Sequence, residues 1–417
     1  MQYTLHLARI IALTVAIMLF FSALLHAQDT TALQVTTSQK PAVTETPSKK
    51  WYDQISLRGY AQFRYNRLLE TNPDLKCEQC DKSWGDNNGF FFRRIRLVIS
   101  GNVHDRVYIY IQPDFANSIS GNNHIAQIRD AYVDLALDKD KTYRLRFGQS
   151  KIPYGFENLQ SSQNRIPLDR NDGLNSAAPN ERDMAVFGYW APKKIRERFA
   201  YLVNSGLKGS GDYGVVGMGV YNGQSANKPE LNNGFHAVGR VSYPFLLKNG
   251  QIIEAGIQGY TGNVIVSSVT KDIQGINPDF SYEDSRVAAS FIVYPQPLGF
   301  QAEYNIGTGP QYNPETNTID QKPLKGGYAM LSYRIQSGKQ LFFPFVRYHY
   351  YEGGKKQELD ARSYHVNESE VGVEWQLNKY FEFVAMYTMS ARRFEDAVNS
   401  DNYQQGNLLR LQVQFNY

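Results

Sequence analysis

From Trp51 onwards the chain is written in a period of two. Ile55, Leu57, Ala61, Phe63 and Tyr65 fall on one parity, and Ser56, Arg58, Tyr60, Gln62 and Arg64 on the other. The same alternation sets Ile95, Leu97 and Ile99 against Arg94, Arg96 and Ser100, and Tyr143, Leu145 and Phe147 against Arg144 and Arg146. Val107, Ile109 and Ile111 oppose Tyr108, Tyr110 and Gln112, and near the end Val371, Val373, Trp375 and Leu377 oppose Glu370, Gly372, Glu374 and Gln376. A two-residue period places one set of side chains on each face of a strand. Such segments, eight to thirteen residues long and divided by Gly, Asn, Asp and Pro clusters, run to the end of the chain. No amphipathic helix of useful length stands out.

The gaps between segments carry a second pattern. Short gaps at 103–105, 138–141, 191–197, 244–250, 295–297, 336–339 and 378–379 alternate with long ones at 67–89, 117–125, 150–182, 223–233, 263–284, 309–324, 353–367 and 393–404. Seventeen candidate segments are present, but a single-chain bacterial barrel takes an even number. The alternation of gaps yields sixteen strands if 199–205 and 213–222 form one strand with an insertion, or if one piece is not a membrane strand. The predicted fold is an all-β transmembrane antiparallel barrel of about sixteen strands, with short turns at one end and long loops at the other. The last segment sharpens this. Leu409, Leu411, Val413, Phe415 and Tyr417 alternate with Arg410, Gln412, Gln414 and Asn416. A strand of this kind with a terminal aromatic residue suits closure against the first strand.

Composition points the same way. The chain of 417 residues has 29 Tyr, 23 Phe and 33 Gly, yet a mean hydropathy of −0.47. That is odd for a soluble core and suits strands with one apolar and one wet face. Arg9, an apolar run from Ile10 to Leu25 and Leu25-His26-Ala27 read as a signal peptide over 1–27, with a retained membrane anchor as the alternative. Residues 28–50, rich in Thr, Ser, Pro and Lys, read as a flexible periplasmic lead-in before a barrel domain at 51–417. The net charge is +4, falling to +3 without the leader, too small for a nucleic-acid partner. Cys77 and Cys80 favour a short loop disulfide in an oxidising compartment over a redox pair or a metal site.

On these parities Arg58, Arg64, Arg94, Arg96, Arg144, Arg146, Arg240, Arg286, Arg334 and Arg410 face the lumen. Asp114, Asp130, Asp134, Glu254, Glu303, Glu370 and Glu374 share those faces, and Arg93 is expected at the membrane edge. Arginine suits an oxyanion path because its planar fork donates two hydrogen bonds and stays charged. Two readings stand side by side: an anion path, or cross-strand pairing of Arg94 and Arg96 with Asp114 or Asp130 that neutralises the wall. The long gap 150–182, with Lys151, Glu157, Arg165, Asp169, Arg170 and Asp172, is the candidate constriction, a surface loop being the alternative. Trp51, Tyr154, Tyr189, Trp190 and Tyr351 read as interfacial anchors. Seven His without zinc spacing, and no nucleophile elbow, Walker loop or dinucleotide fingerprint, point away from an enzyme; neither cofactor nor metal is expected.

Arg93-Arg94-Ile95-Arg96-Leu97 and Gln112-Pro113-Asp114-Phe115-Ala116 resemble the phosphate-selective porin O and P family in its Bacteroidetes-type version. Arg129-Asp130-Ala131-Tyr132-Val133, the run from Phe147 to Glu157, Glu181-Arg182-Asp183 and Val220-Tyr221-Asn222-Gly223 extend the resemblance over roughly residues 55 to 417. It implies a sixteen-stranded outer-membrane porin of a Gram-negative bacterium, a homotrimer in lipid, with an infolded loop and a cationic lining. It does not establish phosphate as the solute. The expected function is passive diffusion of small hydrophilic solutes, anions such as phosphate foremost. The rivals are a non-selective or carbohydrate-permeable porin and a plugged adhesin barrel.

Overall fold

A computed structural model of the protein describes residues 50–75, 89–119 and 122–417. The expected signal peptide, nearly all of the lead-in, and Cys77 and Cys80 lie outside the described residues. The wall begins with β1 (Ile55–Leu68), β2 (Phe90–His104), β3 (Val107–Ile119) and β4 (Asn122–Ala136). It continues through β5 (Tyr143–Lys151), β6 (Arg182–Trp190), β7 (Val216–Tyr221), β8 (His236–Leu246) and β9 (Ile252–Ile265). The next four strands are β10 (Ser281–Val293), β11 (Leu298–Asn313), β12 (Thr318–Tyr333) and β13 (Gln340–Gly354). The last three are β14 (Ser363–Asn378), β15 (Phe381–Glu395) and β16 (Tyr403–Asn416). Ile335–Ser337 continues β12 beyond a break at Arg334. The two-residue Gln274–Gly275 pairs in parallel with Thr318 and Ile319 and is not part of the wall.

Each wall strand is antiparallel to the next, and β16 closes on β1 with Tyr60 opposite Asn416 and Phe63 opposite Val413. Closure matters physically because hydrocarbon offers no partner to a free backbone N–H or C=O. The side-chain parity is that of a membrane barrel. Along β16, Leu408, Arg410, Gln412 and Gln414 are buried, while Leu409, Leu411 and Val413 are half-exposed and Phe415 is exposed. On β8, His236, Arg240 and Ser242 are buried and Val241, Tyr243 and Phe245 exposed. The polar face is thus the inner one.

Three sequence expectations need correction. The gap at 191–197 is not a short turn, and 199–205 is not strand. A helix (Lys193–Asn204) fills that connection, and Ile195, Phe199 and Leu202, spaced i, i+4, i+7, form its buried face. They pack with Ile252, Ile292 and Tyr294 and with Phe156. Removing that segment from the strand count turns seventeen into sixteen. Tyr154, Tyr189 and Tyr351 are buried inside the barrel, not at its rim, whereas Trp190 is 36% exposed at the end of β6. Arg334 is half-buried at the break after β12, outside the lumen set.

Candidate functional site

The long connection 152–181 folds into the barrel. It holds two single turns of helix, Phe156–Leu159 and Asp172–Asn175. Residues 152–178 are buried almost throughout although many are charged or polar, so each needs a partner. The acids find theirs on one side. Glu157 lies 2.6 Å from Arg347 of β13. Asp169 meets Arg64 of β1 at 3.3 Å and Arg410 of β16. Asp172 accepts from Arg392 of β15 at 2.9 Å and from Lys355 at 2.5 Å. Glu303 of β11 accepts the Phe156 and Glu157 N–H groups at 2.5 and 2.8 Å, fixing the start of the first turn. Burial would raise the Glu157 carboxyl, but Arg347, Arg165 and the Asn171 N–H outweigh it and hold it below the usual range. Asp169, beside Arg64 and Arg410, and Asp172, beside Arg392 and Lys355, are likewise held down against burial.

The other side of the loop faces β2–β6. There Arg94, Arg96, Arg129, Lys151 and Arg182 of the wall look toward Arg165 and Arg170 of the loop, within one electrostatic neighbourhood. Three carboxylates answer them: Asp114 on Arg96 at 2.7 Å, Asp130 on Arg182 at 2.9 Å, and Glu181 on both Arg170 and Arg182 at 2.7 Å. Four cations are held by neutral groups instead. Arg94 donates to the Gln62 amide oxygen at 2.8 Å, and Arg129 to that of Asn180 at 3.3 Å. Lys151 donates to the carbonyls of Leu159 and Gln160 at 2.9 and 2.6 Å, and Arg165 to those of Pro167 and Leu168 at 3.0 and 2.7 Å. Burial, then the neighbouring Arg170, disfavour the charge on Arg165.

Parity alone misses Arg129. A β-bulge explains this. β3 pairs Gln112 with Asp130 but Pro113 with Ile128, so Arg129 is the extra residue and is buried beside Asp130. The register between β1 and β2 skips Arg93 in the same way, and the half-buried Arg93 lies within electrostatic reach of Arg94 and Asp169.

The remaining expected lumen residues are placed as follows. Arg144 pairs with Asp212 at 2.7 Å, Arg240 with Glu254 at 3.0 Å, and Arg146 grips Asp134 through two bonds of 2.7 and 2.9 Å above the Tyr132 ring. Glu370 accepts from Arg347 at 2.5 Å and from Arg410 at 3.4 Å, and Glu374 holds Lys208, which arrives from the connection after the Lys193–Asn204 helix. Arg286 reaches Ser176 of the loop at 2.8 Å. Arg58 stands apart, exposed at the end where β1 begins, with its guanidinium 5.9 Å from the Tyr110 ring. Cross-strand pairing therefore holds for Arg96 and fails for Arg94. The sequence reading passed over Arg347, Arg392, Lys208, His349 and Glu368. His349, Glu368 and Glu370 lie close enough to share a metal ion. Guanidinium groups already engage both carboxylates, with Arg392 at 2.9 Å from Glu368, so the trio serves the loop-holding lattice.

The model of the family described as phosphate-selective porin O and P matches residues 74–417. No curated protein matches the chain by sequence. The fold is similar to that of the outer membrane channel DcaP of Acinetobacter baumannii, with a TM-score of 0.54 and 12% identity over 87% of this chain and 97% of that one. It is similar also to OmpF of Salmonella typhi, with a TM-score of 0.53, 12% identity, and 87% and 97% of the two chains covered. OprB of Pseudomonas putida gives a TM-score of 0.52 and 8% identity over 88% and 94%. At such identities these structures speak for the fold alone. The family match covers most of the chain and agrees with a closed sixteen-stranded wall around an infolded loop: the chain belongs to the phosphate-selective porin O and P family of Gram-negative outer-membrane channels.

Proposed function

We propose that the protein is a passive diffusion channel for small hydrophilic solutes that prefers anions, with phosphate as the leading candidate. It would act as a homotrimer in outer-membrane lipid, after cleavage of a leader at Ala27. The observation that carries the preference is the set Arg94, Arg129, Lys151 and Arg165, four cations in the gap between loop and wall that form no ion pair with a carboxylate among the described residues. A low-dielectric wall around water makes unpaired fixed charge the term that biases entry, while paired charge largely cancels. Arginine forks and the Lys151 ammonium, each bonded to a neutral oxygen, offer replaceable donors to a phosphate oxyanion. The paired wall would hold the loop and add little to selectivity.

Planar-bilayer recording tests this. In a potassium chloride gradient the reversal potential is expected on the anion-selective side, and phosphate is expected to reduce the chloride current. A reversal potential at or beyond zero on the cation side would remove the preference. Absence of any unit current would favour the plugged-barrel reading. One contact speaks for that rival: the Gln160 amide of the loop donates to the Lys208 carbonyl at 2.6 Å, joining the insertions from the two ends.

A further inference from the structure

At the end of the barrel where β1 begins lies a cavity of about 320 Å³, lined among others by Arg58, Gln163, Asn164, Asn204, Lys379 and Glu382. These six come from β1, the tip of the infolded loop, the end of the Lys193–Asn204 helix, the turn before β15 and β15 itself. Among the described residues none of these side chains makes a hydrogen bond or ion pair to another protein group, and Arg58, Asn204 and Lys379 face solvent. The Arg58 guanidinium lies 5.9 Å from the Tyr110 ring, and the Lys379 ammonium 4.7 Å from the Tyr380 ring. Glu382 is 4% exposed, and its electrostatic neighbours are Glu374 and Lys208, a lysine that Glu374 already holds. A nearly buried carboxylate beside a second carboxylate is costly without a cation of its own. The cavity therefore offers two unmatched cations, one unmatched acid and three carboxamides that both donate and accept.

We propose that this cavity is a binding site for a zwitterionic small solute, an amino acid or a dipeptide. Its carboxylate would lie on Arg58 and Lys379, its ammonium on Glu382, and its peptide group among Gln163, Asn164 and Asn204. Other chemistries fit less of the site. A phosphate satisfies the cations but brings no donor to the Glu382 carboxyl, and a neutral sugar satisfies the amides but leaves both cations unmatched. The site adjoins the anion path, since Asn164 directly precedes Arg165 in the loop, but it uses none of the four cations and does not rest on that reading.

The test uses the full-length channel in planar bilayers, with alanyl-alanine, its N-acetyl derivative, its C-terminal amide and maltose added in turn at the periplasmic side. Alanyl-alanine is expected to reduce the current most, with either capped analogue weaker by about fivefold, the order of one charge contact in water. Glu382→Gln, isosteric and with seating checked by heat-modifiable mobility, is expected to bring the dipeptide down to the level of its N-acetyl form while leaving phosphate block unchanged. Asn164→Ala is expected to weaken the dipeptide at least twofold without altering charge. Equal block by all four solutes, stronger block by maltose, or a dipeptide effect indifferent to both variants would each overturn the proposal.

Discussion

Two sides of one wall treat arginine in opposite ways. On β13, β15, β16 and β1, Arg347, Arg392, Arg410 and Arg64 all end on carboxylates of the infolded loop. On β2, β4 and β5, Arg94, Arg129 and Lys151 end on amide and carbonyl oxygens, and the loop turns Arg165 toward them. The residue types match, yet the first side is a lattice that fixes a loop and the second a field left over. Counting inward arginines overstates the field, because pairing removes most of them. What the loop pairs on one side it leaves without a countercharge on the other, although both sets are buried.

The largest expected effect comes from breaking the anchoring side. Glu157→Gln removes one of the two countercharges of Arg347, the other being Glu370, and weakens the bonds to the Asn171 N–H and amide. Breaking one partner of a buried pair costs about 3–5 kcal/mol at most here, because Glu370 stays on Arg347, while Asp169, Asp172 and Glu303 still hold the loop, so its first turn loosens rather than the whole loop coming free. Single-channel conductance should rise and the open trace become noisy. A quiet trace at the original conductance would show that the loop is held by packing rather than by charge.

Next in size is removal of the surplus. Arg94→Gln with Lys151→Gln takes away two unpaired cations, each worth about 1 kcal/mol at 4 Å in water, or about fivefold in ion preference. The reversal potential should move toward cations. The matched pair Arg146→Gln with Asp134→Asn removes a bidentate contact but no net charge, and should leave the potential in place. A shift of equal size in both would dissolve the distinction between the two sides.

Much of this was legible before the fold was seen. The two-residue period placed Arg64, Arg94, Arg96 and Arg410 inward, and the length of the gap at 150–182 marked the loop. The pairing was not legible, because it depends on the path of that loop: Arg64 and Asp169 are 105 residues apart, and Arg392 and Asp172 are 220 apart. Arg129 was hidden for a local reason, since a single bulged residue flips parity and no side-chain pattern announces it. The Lys193–Asn204 helix was overlooked because its apolar stripe of Ile195, Phe199 and Leu202 is short and follows the charged run Lys193-Lys194.

A pH titration sharpens the anchoring side with a smaller effect. Burial acts to raise Glu157, Asp169, Asp172 and Glu181, but Arg347, Arg64, Arg392 and Arg170 respectively outweigh it, so all four are depressed. A depressed carboxylate contributes stability that is full above its unfolded value, about 4, and is lost as pH falls through its lower folded value. Conductance and noise should therefore stay flat from pH 7 to about 5 and change only below about 4. A transition near pH 6 would place the anchoring charge on some other group.

The smallest effect isolates shape from charge on the surplus side. Arg94→Lys keeps the positive charge, so the reversal potential should stay within a few millivolts of the parent, which separates it from Arg94→Gln. It removes the planar fork, however, and with it the second parallel hydrogen bond that an oxyanion would receive. If phosphate pauses at this position, its block of the chloride current should weaken by about tenfold, the worth of one charge-assisted hydrogen bond at the low end of its range, about 1.5 kcal/mol. The Gln62 oxygen that Arg94 now engages lies 2.8 Å away, close enough for a lysine ammonium to keep the side chain seated. Unchanged phosphate block in Arg94→Lys would mean that the unpaired cations act as a diffuse field, drawing anions without holding any one of them.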